Sequence, residues 1–106
     1  MIFKKKLKKR YNEIQKEILE ISECFMMLKK QGLSPMYNGS DTNHLKLLFC
    51  RLSNLMKELK DISAHGIKIP LVYKEIVNNL FKEMKTYIPY ESRNDLEEEN
   101  ISDVTL

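Results

Sequence analysis

The chain has 106 residues, 42% hydrophobic and 31% charged, with a formal net charge of +3. A domain of this size can bury a core without a disulfide or metal, and the composition excludes a disordered chain, a collagen-like repeat and a disulfide scaffold. The net charge conceals an asymmetry: residues 1–10 carry six cationic side chains and no anionic one, whereas residues 90–106 carry six acidic groups against Arg93 alone.

A first helix is predicted from about Lys5 to Lys30. Leu7, Tyr11, Ile14, Ile18, Ile21, Phe25 and Leu28 recur at alternating steps of four and three, which places them on one helical stripe. Leu19 and Met26 are expected to widen that stripe. Glu13, Glu17 and Glu20 face away from it, spaced to pair with Lys9 and Lys16. Gly32 supplies the left-handed residue that ends a helix. Residues 32–41, with Pro35, Asn38 and Gly39, have the composition of a connection. Ser40 or Asp41 is suited to cap the next helix.

A second helix is predicted from Thr42 to Ala64. Its stripe is Leu45, Leu48, Leu52, Leu55, Leu59 and Ile62, broadened by Phe49 and Met56. Such a width suits a helix packed between two neighbours. Gly66 ends it. In the link 66–70, Ile67 and Ile69 point one way and Lys68 the other. Pro70 then fixes φ for a third helix, Leu71 to Tyr87, whose apolar face is Tyr73, Ile76, Val77, Leu80, Phe81, Met84 and Tyr87. Pro89 stops it. Beyond that, the chain is polar and acidic, and only Leu96, Ile101, Val104 and Leu106 offer apolar groups that could dock.

The short second link makes helices two and three antiparallel neighbours. The expectation is an all-α fold: an antiparallel bundle of three long helices with room for a short fourth. One domain covers residues 1–89, followed by a loose acidic C-terminal tail over 90–106.

Catalytic and metal-binding patterns find no support. Cys24 and Cys50 form no CxxC and read as reduced thiols. His44 and His65 complete no zinc spacing with them. There is no Gly-rich phosphate loop and no G-x-S-x-G elbow. Glu97, Glu98 and Glu99 fall in the tail, where water screens them. His65, beside Gly66, reads as a helix-terminal group. The expectation is a protein that is not an enzyme and carries no cofactor. The basic start, followed by Tyr11-Asn12-Glu13 and not by an apolar stretch, reads as a cytoplasmic chain without a secretory signal.

That start, Lys4, Lys5, Lys6, Lys8, Lys9 and Arg10, has three readings. It neutralises nucleic-acid phosphates, although no recognition motif accompanies it and the acidic tail opposes such binding. It lies on the anionic inner face of a membrane, with Met1, Ile2 and Phe3 as an apolar foot. Or it is a solvated helix start.

The second and third helices carry a resemblance. Leu48-Phe49-Cys50-Arg51-Leu52-Ser53-Asn54-Leu55, followed by Ile62-Ser63-Ala64-His65-Gly66-Ile67-Lys68-Ile69, resembles the immunity proteins of class IIa (pediocin-like) bacteriocins, the enterocin A immunity family. Arg51-Leu52-Ser53-Asn54 stands where that family has an Arg-hydrophobic-x-Asn helix. Ile67-Lys68-Ile69 stands at its apolar-basic-apolar link, and Ile76 to Met84 at its final amphipathic helix. The resemblance covers roughly residues 45–87. It implies a four-helix antiparallel bundle, where the periodicity gives three helices, and a small polar cap where Pro70 stands. It implies protection of a cell by recognising, from the cytoplasmic side, the membrane mannose phosphotransferase permease engaged by a bacteriocin. The family's C-terminal half sets which bacteriocin is resisted, which on this chain marks Lys82, Lys85, Tyr87, Tyr90 and Arg93 as partner-binding. The alternative is a small helical adaptor or inhibitor, of phage or plasmid type, that binds one host protein through a helix face. Its mark would be an apolar patch left over once the three seams are satisfied.

Overall fold

The computed structural model describes residues 2–33, 40–88 and 105–106. Three helices, α1 (Ile2–Lys30), α2 (Ser40–Ala64) and α3 (Leu71–Thr86), make up the described fold, with no strand among the described residues. The fold is all-α.

Cross-helix pairs fix the directions. Phe3 meets His65, Arg10 meets Glu58 and Arg51 meets Glu17, so α1 and α2 run antiparallel. Tyr11 meets Tyr73 and Phe25 meets Tyr87, so α1 and α3 run parallel and in register. On each helix the same fourteen residues separate the two contacts. Because α1 has 29 residues and α3 has 16, the first turns of α1 overhang the start of α3 and stand beside the 66–70 link.

The core follows the predicted stripes. Ile14, Ile18, Ile21, Phe25 and Leu28 of α1 pack with Leu45, Leu48, Phe49, Leu52, Leu55, Met56, Leu59 and Ile62 of α2. From α3 come Val77, Phe81 and Met84, and from the turn after it Ile88. Phe49 and Phe81 stack with centroids 4.5 Å apart. Each side chain fully buried here contributes roughly 1.5–3 kcal/mol before conformational entropy is subtracted. Ile67 and Ile69 are both buried while Lys68 between them is exposed, as their alternation predicts.

Two helices end alike. Gly32 and Gly66 adopt φ of 104° and 99°. The N–H of Gly32 donates to the Lys29 carbonyl and that of Leu33 to Leu28. Gly66 donates to Ser63 and Ile67 to Ile62 in the same pattern. These are Schellman closures, in which a left-handed residue lets the chain turn back and satisfy the last free carbonyls. Leu33 with Leu28, and Ile67 with Ile62, bury the accompanying apolar contact.

The structure corrects several expectations. α1 begins at Ile2 and takes in the whole basic start. Leu19 and Met26 are 59% and 50% exposed; they sit on the side of α1 turned away from both neighbours and do not widen the core. Ile76, 58% exposed, lies on the outer flank of α3 for the same reason. α2 begins at Ser40, two residues before its predicted start. Pro70 is the N-cap residue of α3 itself, in an extended conformation, and its carbonyl accepts the first helical bond from Lys74. Tyr87 is the C-cap, one residue beyond the helix. The tail, expected to be loose, is held at its last residue. Asn78 accepts the Leu106 N–H at Oδ1 (2.9 Å) and donates Nδ2 to the Leu106 carbonyl (3.2 Å). The remainder of that tail, with Leu96, Ile101 and Val104, lies outside the described residues.

Candidate functional site

Charged side chains of α1 divide into two groups with different surroundings. The first lies along α2. Arg10 donates Nε to Glu58 Oε2 (2.7 Å) and Nη2 to Glu58 Oε1 (3.0 Å), a forked pair between helices. Its Nη1 stands 3.4 Å from both Glu13 and Glu17. Arg51 continues the ladder, 3.7 Å from Glu17 and 3.6 Å from Glu20. The hydrogen bond and charge of Glu58 raise the Arg10 pKa further above its already high value. Arg10 is therefore committed to α2 and leaves the basic cluster. Glu13, Glu17 and Glu20, expected to pair with lysines of their own helix, serve the two arginines instead.

The second group is the lysines. Lys4, Lys5, Lys6, Lys8 and Lys9 are exposed, and none of them forms an ion pair with a described carboxylate. The first turn of α1 contains no acidic residue. Lys4 and Lys8 open onto a cleft of ≈ 480 Å³ between the overhanging start of α1 and the link after α2, where Tyr11, Asn12, Gly66, Ile67 and Lys68 complete the described wall. The Lys4 chain passes 4.0 Å from where a Cβ on Gly66 would stand. Phe3 holds this end together, its ring edge-on to His65 at 5.6 Å. His65 Nδ1 lies 2.7 Å from the Asp61 carbonyl, which fits its predicted helix-terminal place.

Below the cleft stand Tyr11 and Tyr73, edge to face at 6.3 Å. Burial pushes the Tyr73 phenol up to about 12, with Tyr11 adding to the shift, and burial raises Tyr11 as well. The Tyr73 hydroxyl is enclosed and meets no hydrogen-bond partner among the described residues.

The residues marked on α3 are only partly surface groups. Lys82 is exposed and Lys85 half-buried. Tyr87 packs its ring edge-on against Phe25 at 5.4 Å and so closes the core. Tyr90 and Arg93 lie outside the described residues. What the marking missed is the outer flank of α3, where Leu71, Val72 and Ile76 are all exposed. Val72 and Ile76 are one turn apart, a spacing visible in the sequence, but it reads equally as core. Cys24 is an exposed free thiol, and Cys50 is half-buried.

No described helix is long and apolar enough to cross a membrane. No protein-family model, curated protein or solved structure matches the chain. The class established is therefore an all-α protein with three helices among the described residues, and function rests on the residues themselves.

Proposed function

We propose that this protein confers immunity to a pediocin-like bacteriocin, acting from the cytoplasm on the bacteriocin-engaged mannose permease. The carrying observation is the α2–link–α3 unit. Arg51-Leu52-Ser53-Asn54 sits mid-α2, with Leu52 and Ser53 buried and Arg51 and Asn54 exposed. The link continues as buried Ile67, exposed Lys68 and buried Ile69, and α3 returns antiparallel to α2. That order of features is the one the resemblance rests on. The reading departs from the family pattern in having three helices among the described residues, and in Pro70 as N-cap. Lys82 and Lys85 are then the described contact residues, with Tyr87 holding their helix against α1. The lysines at the start of α1 suit work beside an anionic membrane surface, each contributing about 1 kcal/mol near it.

A challenge assay tests the reading. A bacteriocin-sensitive lactic acid bacterium expressing the protein is exposed to a panel of pediocin-like peptides. Survival against one or a few supports the proposal and names the cognate toxin; uniform killing with the folded protein present removes it. Deletion of residues 89–106, which spares the buried Ile88, is expected to abolish protection with folding intact if specificity resides there.

A second reading has its own observation. Leu71, Val72 and Ile76 form an apolar flank that the three seams leave over, which is the mark of a helical adaptor or inhibitor binding one host protein. Substituting Val72 and Ile76 by Asp would abolish capture of such a partner while leaving the core intact.

A further inference from the structure

We propose that the cleft between the first turns of α1 and the α2–α3 link binds an anionic phosphoryl group. The inference stands apart from the immunity reading, because it rests on the chemistry of the cleft wall.

Three ammonium groups, Lys4, Lys8 and Lys68, line one cleft. They come from two parts of the chain, brought together only because α1 overhangs α3. Tyr11 adds a phenol, which is protonated at neutral pH, and Asn12 adds an amide. Every polar side chain on the described wall can donate a hydrogen bond, and none is a carboxylate. Neither Lys4, Lys8 nor Lys68 is neutralised by an ion pair with a described residue, although Arg10, the next cation along this face, is fully engaged. Among the described residues, one cation of this face is paired throughout, while three others line the cleft without an anionic partner.

The physical expectation for such a wall is an anion with several acceptor oxygens. Lysine ammonium groups act as point charges toward phosphoryl oxygens without demanding one geometry. The cleft's ≈ 480 Å³ falls inside the range of small-molecule sites, roughly 300–1,000 Å³. Gly66 contributes the left-handed turn, φ 99°, that brings the link under the start of α1. The buried flank of Ile67 gives the floor an apolar surface on which the non-phosphate part of a ligand can rest. The same chemistry is offered by a soluble phosphorylated small molecule and by an anionic lipid headgroup.

The test uses the folded full-length chain and follows its backbone amides by NMR at constant ionic strength. Inorganic pyrophosphate is one probe. Vesicles of phosphatidylglycerol, against vesicles of phosphatidylcholine, are the other. Lys4→Gln, Lys8→Gln and Lys68→Gln are compared with Lys57→Gln, an exposed lysine on α2 outside the cleft. The expected result is a saturable shift of the amides of Lys8, Asn12, Gly66 and Lys68. Affinity should fall roughly tenfold in each cleft variant, as loss of one charge-assisted contact implies, and stay unchanged in Lys57→Gln. All four positions are exposed, so the fold should survive, and circular dichroism confirms it. Pyrophosphate binding with this pattern assigns a soluble ligand. Binding to phosphatidylglycerol vesicles alone, with the same Lys68 dependence, assigns a headgroup. Equal weakening by Lys57→Gln shows diffuse charge attraction and overturns the proposal, as does the absence of any cleft shift with both probes.

Discussion

The two flanks of α1 hold their neighbours by different means. Toward α2 the apolar seam is edged by a charged ladder, Arg10 with Glu58, Glu13 and Glu17, then Arg51 with Glu17 and Glu20. Toward α3 the contact is aromatic, Tyr11 on Tyr73 and Phe25 on Tyr87, with Lys29 reaching Glu83 at 2.7 Å while lying 4.7 Å above the Phe25 ring. The ladder sits in water with its carboxylates about a third or more exposed. Exposed pairs of this kind contribute little energy. They do set direction and register, because Arg10 finds Glu58 only when the helices are antiparallel at one offset. The aromatic contacts bury area and carry more free energy than the ladder does.

Substitutions can break that contrast. Phe25→Ala removes a fully buried ring that touches both α3 and Lys29; chemical denaturation should show a loss of about 3–5 kcal/mol. Gly66→Ala belongs to neither flank and forces a side chain into φ +99°, so it should cost about 1–2 kcal/mol by the same measurement. Gly32→Ala, with open space around the added Cβ, isolates the backbone part of that cost.

Tyr73→Phe sharpens the aromatic side. It removes an enclosed hydroxyl without a described partner and should stabilise by about 1 kcal/mol. It also changes the alkaline limb. With the folded pKa raised from 10.0 to about 12, the unfolded chain loses its proton first. Stability should therefore hold below pH 10.0, fall as pH rises toward about 12, and level off beyond. Tyr73→Phe should flatten most of that fall, leaving the smaller part due to Tyr11. The smallest effect belongs to the ladder: a double-mutant cycle on Arg10→Ala and Glu58→Ala should give a coupling of about 0.2–1 kcal/mol, shrinking with added salt. A coupling as large as the Phe25→Ala loss would reverse the comparison.

The fold was largely legible because heptad-like spacing reports the seam directly, and Gly32 and Gly66 mark both turns. The misread positions share one cause. Leu19, Met26 and Ile76 are apolar residues on outward faces, and periodicity cannot separate an exposed apolar residue at a stripe's edge from a core one. The site was less legible. Arg10 belongs to a charge run in sequence, but its partner Glu58 lies 48 residues away. Lys68 was visible as the outward residue of the link, yet nothing local joins it to Lys4 and Lys8. That union appears only once α1 outruns α3. Asn78, an unremarked helix residue, holds Leu106 across 28 residues, a partner that no local pattern shows.

The described helices are odd in number, and this has an electrical consequence. Each helix carries a macrodipole equal to about half a positive charge at its N-terminus and half a negative one at its C-terminus. In an even antiparallel bundle these cancel end by end. Here α1 and α3 point the same way against α2, so one positive pole is left uncompensated among them, at the end where α1 and α3 begin. That is also the end bearing Lys4, Lys5, Lys6, Lys8, Lys9 and Lys68. Side chains and backbone thus build the same potential at one pole of the molecule. Among the described residues that end is in self-repulsion, and a counter-charge placed there, whether ion, headgroup or acidic segment, is expected to make the bundle more stable.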